Sequence, residues 1–161
     1  MIKEINENDI AECVDVIRRS FYTVAEEFGF TIDNAPHFTA FATTQDRLLY
    51  QLKNEHRQMY AYYEDNGKII GYYSLELQDN NQCELNNLCV LPFYRHKHIG
   101  KNLLEDACIK AKKAGCKKMN IGIVEENGVL KKWYVENGFI HTGTKKFDFF
   151  PFTCGYMEMD L

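Results

Sequence analysis

The sequence lacks long apolar runs and a surplus of positive charge, and both absences narrow the range of possible functions. No apolar stretch approaches the roughly 20 residues that a membrane-spanning helix requires, so we expect no association with a membrane. The formal net charge of −4 argues against nucleic acid as the main partner, because phosphate backbones attract basic surfaces. Neither a membrane nor a nucleic acid is therefore an expected partner.

The six cysteines also lack the spacing of a metal site. No Cys-x-x-Cys pair occurs among them, so the usual zinc framework is missing and we expect no metal. The first eight residues are polar and charged, unlike a secretory leader. These features favour a cytoplasmic protein, in which thiols stay reduced, and most of the cysteines are expected to be small buried residues.

No linker, low-complexity stretch or internal repeat divides the 161 residues, so we expect one domain that spans 1–161. That length can bury a core without metals or disulfides. Aromatic residues make up 14% of the chain, which is a high share. They could overfill the core or line an apolar pocket, and composition alone does not separate these alternatives.

Apolar alternation and helical spacing predict the element order β α α β β β α β α β β. The predicted strands cover residues 2–5, 59–64, 69–78, 83–90, 118–124, 139–142 and 153–161. The first predicted helix has Asn8 as its N-cap. Three further helices are predicted at 44–55, 100–114 and 128–136. The strand, helix and strand within 83–124 predict one parallel crossover in a mostly antiparallel sheet. The fold class is therefore α+β, or mixed α/β.

A loop rich in hydrogen-bond donors joins the strand that ends at Val90 to the next helix. The main-chain N–H groups at a helix N-terminus are free and aligned with the helix dipole, so they favour anions. The loop adds the cations Arg95, Lys97 and Lys101, the donors His96 and His98, and Gly100, which permits close approach of a ligand. This pattern predicts a phosphate or pyrophosphate site, and the alternative is an ordinary solvated basic turn.

The loop differs from two common nucleotide-binding motifs. Gly100-Lys101 is followed by Asn102, so the Ser or Thr that holds magnesium in a Walker A loop is missing. No Gly-x-Gly-x-x-Gly follows a strand anywhere in the chain. The phosphate hypothesis therefore rests on the donors of the loop itself.

Two blocks of the sequence resemble the GCN5-related N-acetyltransferases. Arg95 to Gly100 is similar to the family's pyrophosphate loop, Gln/Arg-x-x-Gly-x-Gly/Ala. The residues 127–139 resemble a second family block, in which Asn precedes a short helix that carries a Tyr and ends at Gly-Phe. The resemblance covers residues 59–140 well and residues 1–58 in element order. It implies a twisted, mostly antiparallel sheet of six to seven strands flanked by about four helices.

One residue departs from the family pattern. His98 stands where the family has the first glycine of the loop. If that position requires a positive φ, histidine costs on the order of 1 kcal/mol there. Either φ is ordinary at His98, or the imidazole contributes a contact to the phosphate.

The resemblance implies acetyl-coenzyme A as co-substrate and no covalent acyl-enzyme. A bulge in the strand that ends at Val90 would splay the sheet and free main-chain amides. The amides near Leu88, Cys89 and Val90 would bind the pantetheine arm and polarise the thioester carbonyl, a contribution commonly worth about 3 kcal/mol per donor. Asn127 would also bind this arm. The pyrophosphate would be held by Arg95, His96, Lys97, His98, Ile99, Gly100 and Lys101.

Two residues are candidates for proton transfer. By its place in the second block, Tyr134 is the candidate general acid, since a phenol can protonate a departing thiolate. Glu84 is the candidate base, and Glu76 on the neighbouring strand is the weaker candidate. The alternative for both residues is an ordinary solvated carboxylate at the surface. Glu84 and Asn86 share one face of their strand by the period of two. Cys89 as a nucleophile is a rival mechanism, which its position in a strand that reads as core disfavours.

The amine acceptor should bind between the first helices and the last hairpin. The segments 28–31, 38–41 and 147–152 carry aromatic residues that could wall a pocket, form core or make a homodimer contact. Asp148, Glu26 and Glu27 could attract a cationic amine. The expected substrate is a primary amine of a small molecule or a peptide; a non-catalytic acetyl-coenzyme A sensor or an interaction module is the alternative.

Overall fold

Seven strands form one sheet in the computed structural model, which describes residues 1–161. The strands are β1 (Ile2–Glu4), β2 (Gln58–Tyr63), β3 (Ile69–Gln78), β4 (Gln82–Val90), β5 (Lys118–Val124), β6 (Ile140–Lys146) and β7 (Thr153–Asp160). Their order in the sheet is β1-β2-β3-β4-β5-β7-β6. Only β4 and β5 pair in parallel, which confirms the single crossover and the mixed α/β class.

Five α-helices accompany the sheet. They are α1 (Ile10–Phe28), α2 (Thr39–Ala42), α3 (Gln45–Lys53), α4 (Ile99–Lys113) and α5 (Gly128–Glu136). The short α2 was not predicted, because four residues are too few to show a helical period. No helix has both the length and the apolar character that crossing a membrane requires.

The start of α1 differs from the sequence prediction. Asn6, rather than Asn8, is the capping residue: its side chain accepts a hydrogen bond from the Asn8 N–H, and Asp9 accepts one from the Asn6 N–H. This reciprocal capping box holds a 3-10 turn at Glu7–Asp9 that leads directly into α1. The apolar spacing located the helix, but the prediction of Asn8 as its cap was wrong, because the 3-10 turn moves the cap two residues earlier.

The sheet is covered on both faces. Tyr73 donates a hydrogen bond of 2.6 Å to Asp106 on α4, whereas the adjacent Tyr72 faces Cys13 on α1. Since successive side chains of a strand point to opposite faces, α1 and α4 lie on opposite sides of the sheet. A cluster of 32 buried residues fills the space between these layers.

β4 carries a bulge and then diverges from β5. Asn86 pairs with Ser74 and Cys89 with Tyr72, so three steps along β4 face two steps along β3. The extra residue lies at Asn87–Leu88, and Asn87 has a φ of 54°. β4 pairs with β5 only over Gln82 to Glu84. The bulge implied by the resemblance is therefore confirmed, and it leaves the last part of β4 without a partner on its β5 side.

Candidate functional site

A cavity of about 260 Å³ lies between the diverging ends of β4 and β5. Its walls come from α1, the α1–α2 connection, β4, β5, α5 and the β6–β7 hairpin. Four predicted site residues line it together: Glu84, Leu88, Asn127 and Tyr134. The fold thus brings the candidate acid and the candidate base into one cavity although they are 50 positions apart in the chain.

The loop that leads into α4 presents a run of free main-chain donors. The N–H groups of residues 96–101 make no hydrogen bond within the protein, and the first main-chain bond of the helix is from the Asn102 N–H to the His98 carbonyl. His96 and His98 both have a φ of 62°. Left-handed residues next to right-handed ones turn successive N–H groups toward one point, and such concavities bind anions. The helix dipole of α4 acts in the same direction.

The Arg95 side chain, which the resemblance assigned to the pyrophosphate, is bonded within the protein. Its guanidinium donates hydrogen bonds to the Val90 carbonyl at 3.1 Å, to the Thr23 hydroxyl at 3.0 Å and to the Ser20 carbonyl at 2.8 Å. Burial lowers the pKa of Arg95. This side chain therefore fastens the loop to α1 and to the end of β4, and its guanidinium is not directed to a ligand beside the loop.

The two lysines of the loop are less constrained. The Lys97 ammonium lies over the rings of Phe93 and Tyr94 at 5.0 and 5.6 Å from their centroids. The Lys101 ammonium lies 4.0 Å from Glu105, and its side chain is 57% exposed. Contacts of this kind contribute little at an exposed surface, so both cations can turn toward an anion.

The φ of 62° at His98 shows that this position does require the left-handed conformation in which the family has glycine. We expect His98→Gly to raise the unfolding free energy by about 1 kcal/mol, because the steric cost of a Cβ in this conformation is removed. If the imidazole also contacts phosphate, the dissociation constant for coenzyme A rises about fivefold, the cost of one hydrogen bond. Thermal unfolding and calorimetric titration measure the two effects.

His98→Asn is the matched control for that change. Asparagine tolerates the left-handed conformation and keeps a donor. It should therefore gain stability without the loss of affinity. If both variants bound coenzyme A equally weakly, the hypothesis that the His98 imidazole donates a hydrogen bond to phosphate, which the asparagine amide could replace, would be contradicted.

Tyr134 is buried at the inner end of the cavity. Its ring makes edge contacts with Trp133 and Phe139 at centroid distances of 5.0 and 5.2 Å. Its hydroxyl makes no hydrogen bond to a protein group, and the residue lines the cavity. Burial raises the pKa of Tyr134, so the phenol is fully protonated at neutral pH, as a general acid must be before it acts.

Asn127 has one structural contact and one free donor. Its side-chain oxygen accepts a hydrogen bond of 3.2 Å from the Leu130 N–H, which caps α5. The amide nitrogen remains available to a ligand in the cavity that Asn127 lines. The same residue therefore orients the helix that carries Tyr134 and presents a donor beside it.

Glu84 is the only carboxylate among the residues that line the cavity. Gln78 donates a hydrogen bond of 3.1 Å to it. Burial and the negative charge of Glu76 raise the pKa of Glu84, while Arg57 and the bond from Gln78 oppose that rise. Glu76 does not line the cavity, which favours Glu84 as the base.

The predicted acceptor residues are divided by the structure. Phe38, Phe150 and Phe152 line the cavity, whereas Phe30 packs with Phe38 and Phe152 in a second core of seven residues. Phe149 is 52% exposed on the outside of the hairpin. The carboxylates predicted to attract the amine do not line the cavity and are exposed: Glu26, Glu27 and Asp148.

Sequence reasoning missed two polar residues beside Glu84. Tyr156 lines the cavity from β7, and burial, Cys154 and Glu84 raise its pKa. Arg57 approaches from the connection between α3 and β2. Period-two alternation places a side chain on a face but does not tell which strands become neighbours, so only the pairing of the sheet could reveal these contacts.

Cysteine catalysis, the rival mechanism, finds no support in the side chains. Burial raises the pKa of the Cys89 thiol to about 12, and a thiol at that pKa has almost no nucleophilic thiolate at neutral pH. No group of three His, Cys, Asp or Glu side chains converges in a way that could hold a metal ion.

The sequence is similar to known acetyltransferases. The model of a family described as "Acetyltransferase (GNAT) family" matches residues 19–139. The chain is 36% identical over 81 residues to spermidine N(1)-acetyltransferase of Thermoplasma acidophilum. These 81 residues are 50% of this chain and 50% of the relative, so the match spans about half the length of that relative. It is 25% identical over 148 residues to an uncharacterized N-acetyltransferase in the pepI 3' region of Lactobacillus delbrueckii subsp. lactis, covering 85% of this chain and 82% of the other.

Solved structures show the same fold. The crystal structure of PaiA N-acetyltransferase from Thermoplasma acidophilum in complex with coenzyme A superposes with a TM-score of 0.84 at 22% identity, covering 100% of this chain and 98% of that one. The ribosomal-protein-S18-alanine N-acetyltransferase from Escherichia coli gives a TM-score of 0.77 at 14% identity, covering 99% and 92%. Since the family match extends over more than half of the sequence, this protein belongs to the acetyltransferase (GNAT) family.

Proposed function

We propose that this protein transfers the acetyl group of acetyl-coenzyme A to a primary amine. The observation that carries the proposal is the placement of two features around the last part of β4: the free N–H groups of residues 96–101 in the loop that follows the strand, and the cavity that contains Glu84 and Tyr134. The first feature suits a diphosphate and the second suits a proton-coupled acyl transfer. A relative named as a spermidine acetyltransferase supports an amine acceptor.

The co-substrate would bind along the gap between β4 and β5. Its pyrophosphate would accept hydrogen bonds from the N–H groups of residues 96–101, with Lys97 and Lys101 adding charge. Arg95 would contribute by holding this loop in place through its bonds to Ser20, Thr23 and Val90. The pantetheine arm would fill the opening that the bulge creates, where the Asn127 amide nitrogen is a donor.

Transfer would occur by direct attack of the amine on the thioester. Glu84 accepts a proton from the bound ammonium through water, which makes the nitrogen nucleophilic. Those amides of Leu88, Cys89 and Val90 that point away from β3 stabilise the negative charge that develops on the carbonyl oxygen. Tyr134 then protonates the departing thiolate, and the second proton that the nitrogen loses as the amide forms restores the phenol. The buried surroundings disfavour the thiolate as they disfavour the phenolate, so the phenol remains a usable proton donor.

The acceptor would enter beside the aromatic hairpin. The cavity of about 260 Å³ must also hold the acetyl end of the co-substrate, which favours an amine on a slender chain. We propose that such an amine belongs to a small molecule or a peptide.

The six cysteines are all free thiols, which supports a proposed location in the cytoplasm.

An amine panel with acetyl-coenzyme A tests the proposal. Spermidine and a peptide with N-terminal alanine represent two of the acceptors named for similar proteins. Release of coenzyme A thiol and the mass of the acetylated amine are the two readouts. Calorimetry measures coenzyme A binding separately. Binding of coenzyme A without transfer to any amine would favour the sensor alternative. The absence of both binding and transfer would refute the proposal.

A further inference from the structure

The candidate base Glu84 is held by amide donors on both carboxylate oxygens. Gln78 donates to one oxygen at 3.1 Å. The side-chain amide of Asn86 lies 3.1 Å from the other oxygen. A carboxylate only accepts hydrogen bonds, so the Asn86 atom that faces it must be the amide nitrogen. Each carboxylate oxygen keeps a second lone pair, which leaves Glu84 able to accept a proton from the cavity.

The orientation of Asn86 is set in turn by Arg57. With its nitrogen toward Glu84, the Asn86 oxygen accepts a hydrogen bond of 3.3 Å from the Arg57 guanidinium. The guanidinium also contacts Glu55 at 2.6 Å and Glu76 at 3.3 Å, and its side chain is only 13% exposed. Three partners thus fix one cation beside the carboxylates, although Arg57 itself does not line the cavity.

Among the charged groups near Glu84, Arg57 is the cation that offsets the negative charge beside this carboxylate. Glu76 is the direct cross-strand neighbour of Glu84 on β3, and two carboxylates in such positions disfavour each other's ionisation. Lys118 is already paired with Glu158 at 3.3 Å. Further polar or titratable groups on the elements around Glu84 include Gln78 on β3, Gln82 and Asn86 on β4, Asn120 on β5, Tyr156 on β7 and His37 before α2.

We infer that Arg57 is a positioning residue for the transfer reaction: through Asn86 and Glu76 it keeps Glu84 ionised and oriented toward the acceptor amine. This inference rests on the proposed function, because it assigns Arg57 a part in preparing the proposed base. The amide donors favour the carboxylate over the carboxylic acid, and the guanidinium neutralises the neighbouring negative charge. Arg57 acts through other residues and touches neither substrate nor reacting atoms.

Two substitutions should move the pH profile in opposite directions. In Arg57→Met the charges of Glu76 and Glu84 are no longer offset, so the pKa of Glu84 rises and the acidic limb of kcat/KM moves up by about one pH unit. At a pH below that limb, this equals about a tenfold loss of kcat/KM. In Glu76→Gln the repelling charge is gone, so the limb moves to lower pH. Glu84→Gln should remove the limb.

Controls separate this role from a structural one. Arg18→Met removes an exposed arginine of α1 that is outside the network, and it should leave the limb in place. Arg57→Lys keeps the charge but loses the planar fork, so it should restore the limb in part. If Arg57→Met only lowers the melting temperature, or if Glu76→Gln moves the limb upward, the inference is wrong.

A titration without substrate distinguishes failure of this inference from failure of the proposed function. The side-chain carboxyl carbon of Glu84 can be followed by carbon-13 NMR, with Glu84→Gln used to assign its signal. The midpoint should rise in Arg57→Met and fall in Glu76→Gln even if no tested amine is acetylated. Equal midpoints in all three proteins would overturn the inference and leave the proposed transfer untouched.

Discussion

Tyr134→Phe is expected to lower kcat by about a hundredfold or more, the usual contribution of a general acid. Tyr134 lines the cavity and its hydroxyl makes no hydrogen bond to a protein group, so removal of the hydroxyl breaks no hydrogen bond of the folded chain. The ring contacts with Trp133 and Phe139 are retained in phenylalanine. Stability and coenzyme A affinity should therefore stay close to those of the unmodified protein. Steady-state kinetics, thermal unfolding and calorimetry measure the three quantities.

Tyr156→Phe is the matched control for this experiment. It removes a hydroxyl from another residue that lines the same cavity, on β7 rather than on α5, and we expect only a small change in kcat. A large loss in this control with an unchanged Tyr134→Phe would assign the acid to Tyr156. Loss of coenzyme A binding in Tyr134→Phe would instead give Tyr134 a role in holding the arm.

Arg95→Met is expected to lower the unfolding free energy by about 2–3 kcal/mol. The substitution removes the bonds from the guanidinium to the Ser20 and Val90 carbonyls and to the Thr23 hydroxyl in a half-buried place, and hydrogen bonds to a charged group are worth about 1.5–3 kcal/mol each. The Ser20 carbonyl keeps the bond from the Thr23 hydroxyl, which limits the loss. For a chain of this length the melting temperature should fall by about 5–10 °C. Coenzyme A should also bind at least tenfold more weakly, because the free N–H groups of residues 96–101 lose their fixed arrangement.

Lys101→Met separates the charge of the loop from its shape. Lys101 is exposed and lies at the loop's end, so its loss should weaken coenzyme A binding several-fold with little change in melting temperature. Arg95→Lys keeps the charge, yet an ammonium cannot make three bonds in the planar arrangement of a guanidinium, so most of the stability loss should persist. Full stability in Arg95→Lys would show that charge alone fastens the loop.

The sequence predicted best those features that depend on neighbouring residues. β5 and α5 have the predicted bounds, because alternation and helical spacing are local patterns and Asn137-Gly138 ends the helix. The connection between β2 and β3 contains Asn66-Gly67, a pair typical of tight hairpins, and Gly67 has a φ of 87°. Gly115, which has a φ of 86° after α4, is likewise a local signal, because glycine is the usual left-handed residue after a helix. Local signals of this kind located the loop between β4 and α4.

The sequence could not show where long side chains turn. Arg95 belongs to a motif that suggests a ligand contact, but its partners Ser20 and Thr23 come from a helix more than 70 residues earlier. The Arg57 network depends on strand pairing and on the orientation of Asn86. Such contacts depend on the folded arrangement of distant segments, which composition and spacing do not encode directly.

The short pairing of β4 with β5 also affects how the molecule resists unfolding. Three residue pairs, from Gln82 to Glu84, are the only ladder between the β1–β4 half of the sheet and the β5–β7–β6 half. Beyond these three pairs, a ligand bound in the gap between β4 and β5 would contact both halves of the sheet and so hold them together. Amide hydrogen exchange in β5 and the far half of β4 should slow on binding, by an amount set by ligand concentration relative to its dissociation constant.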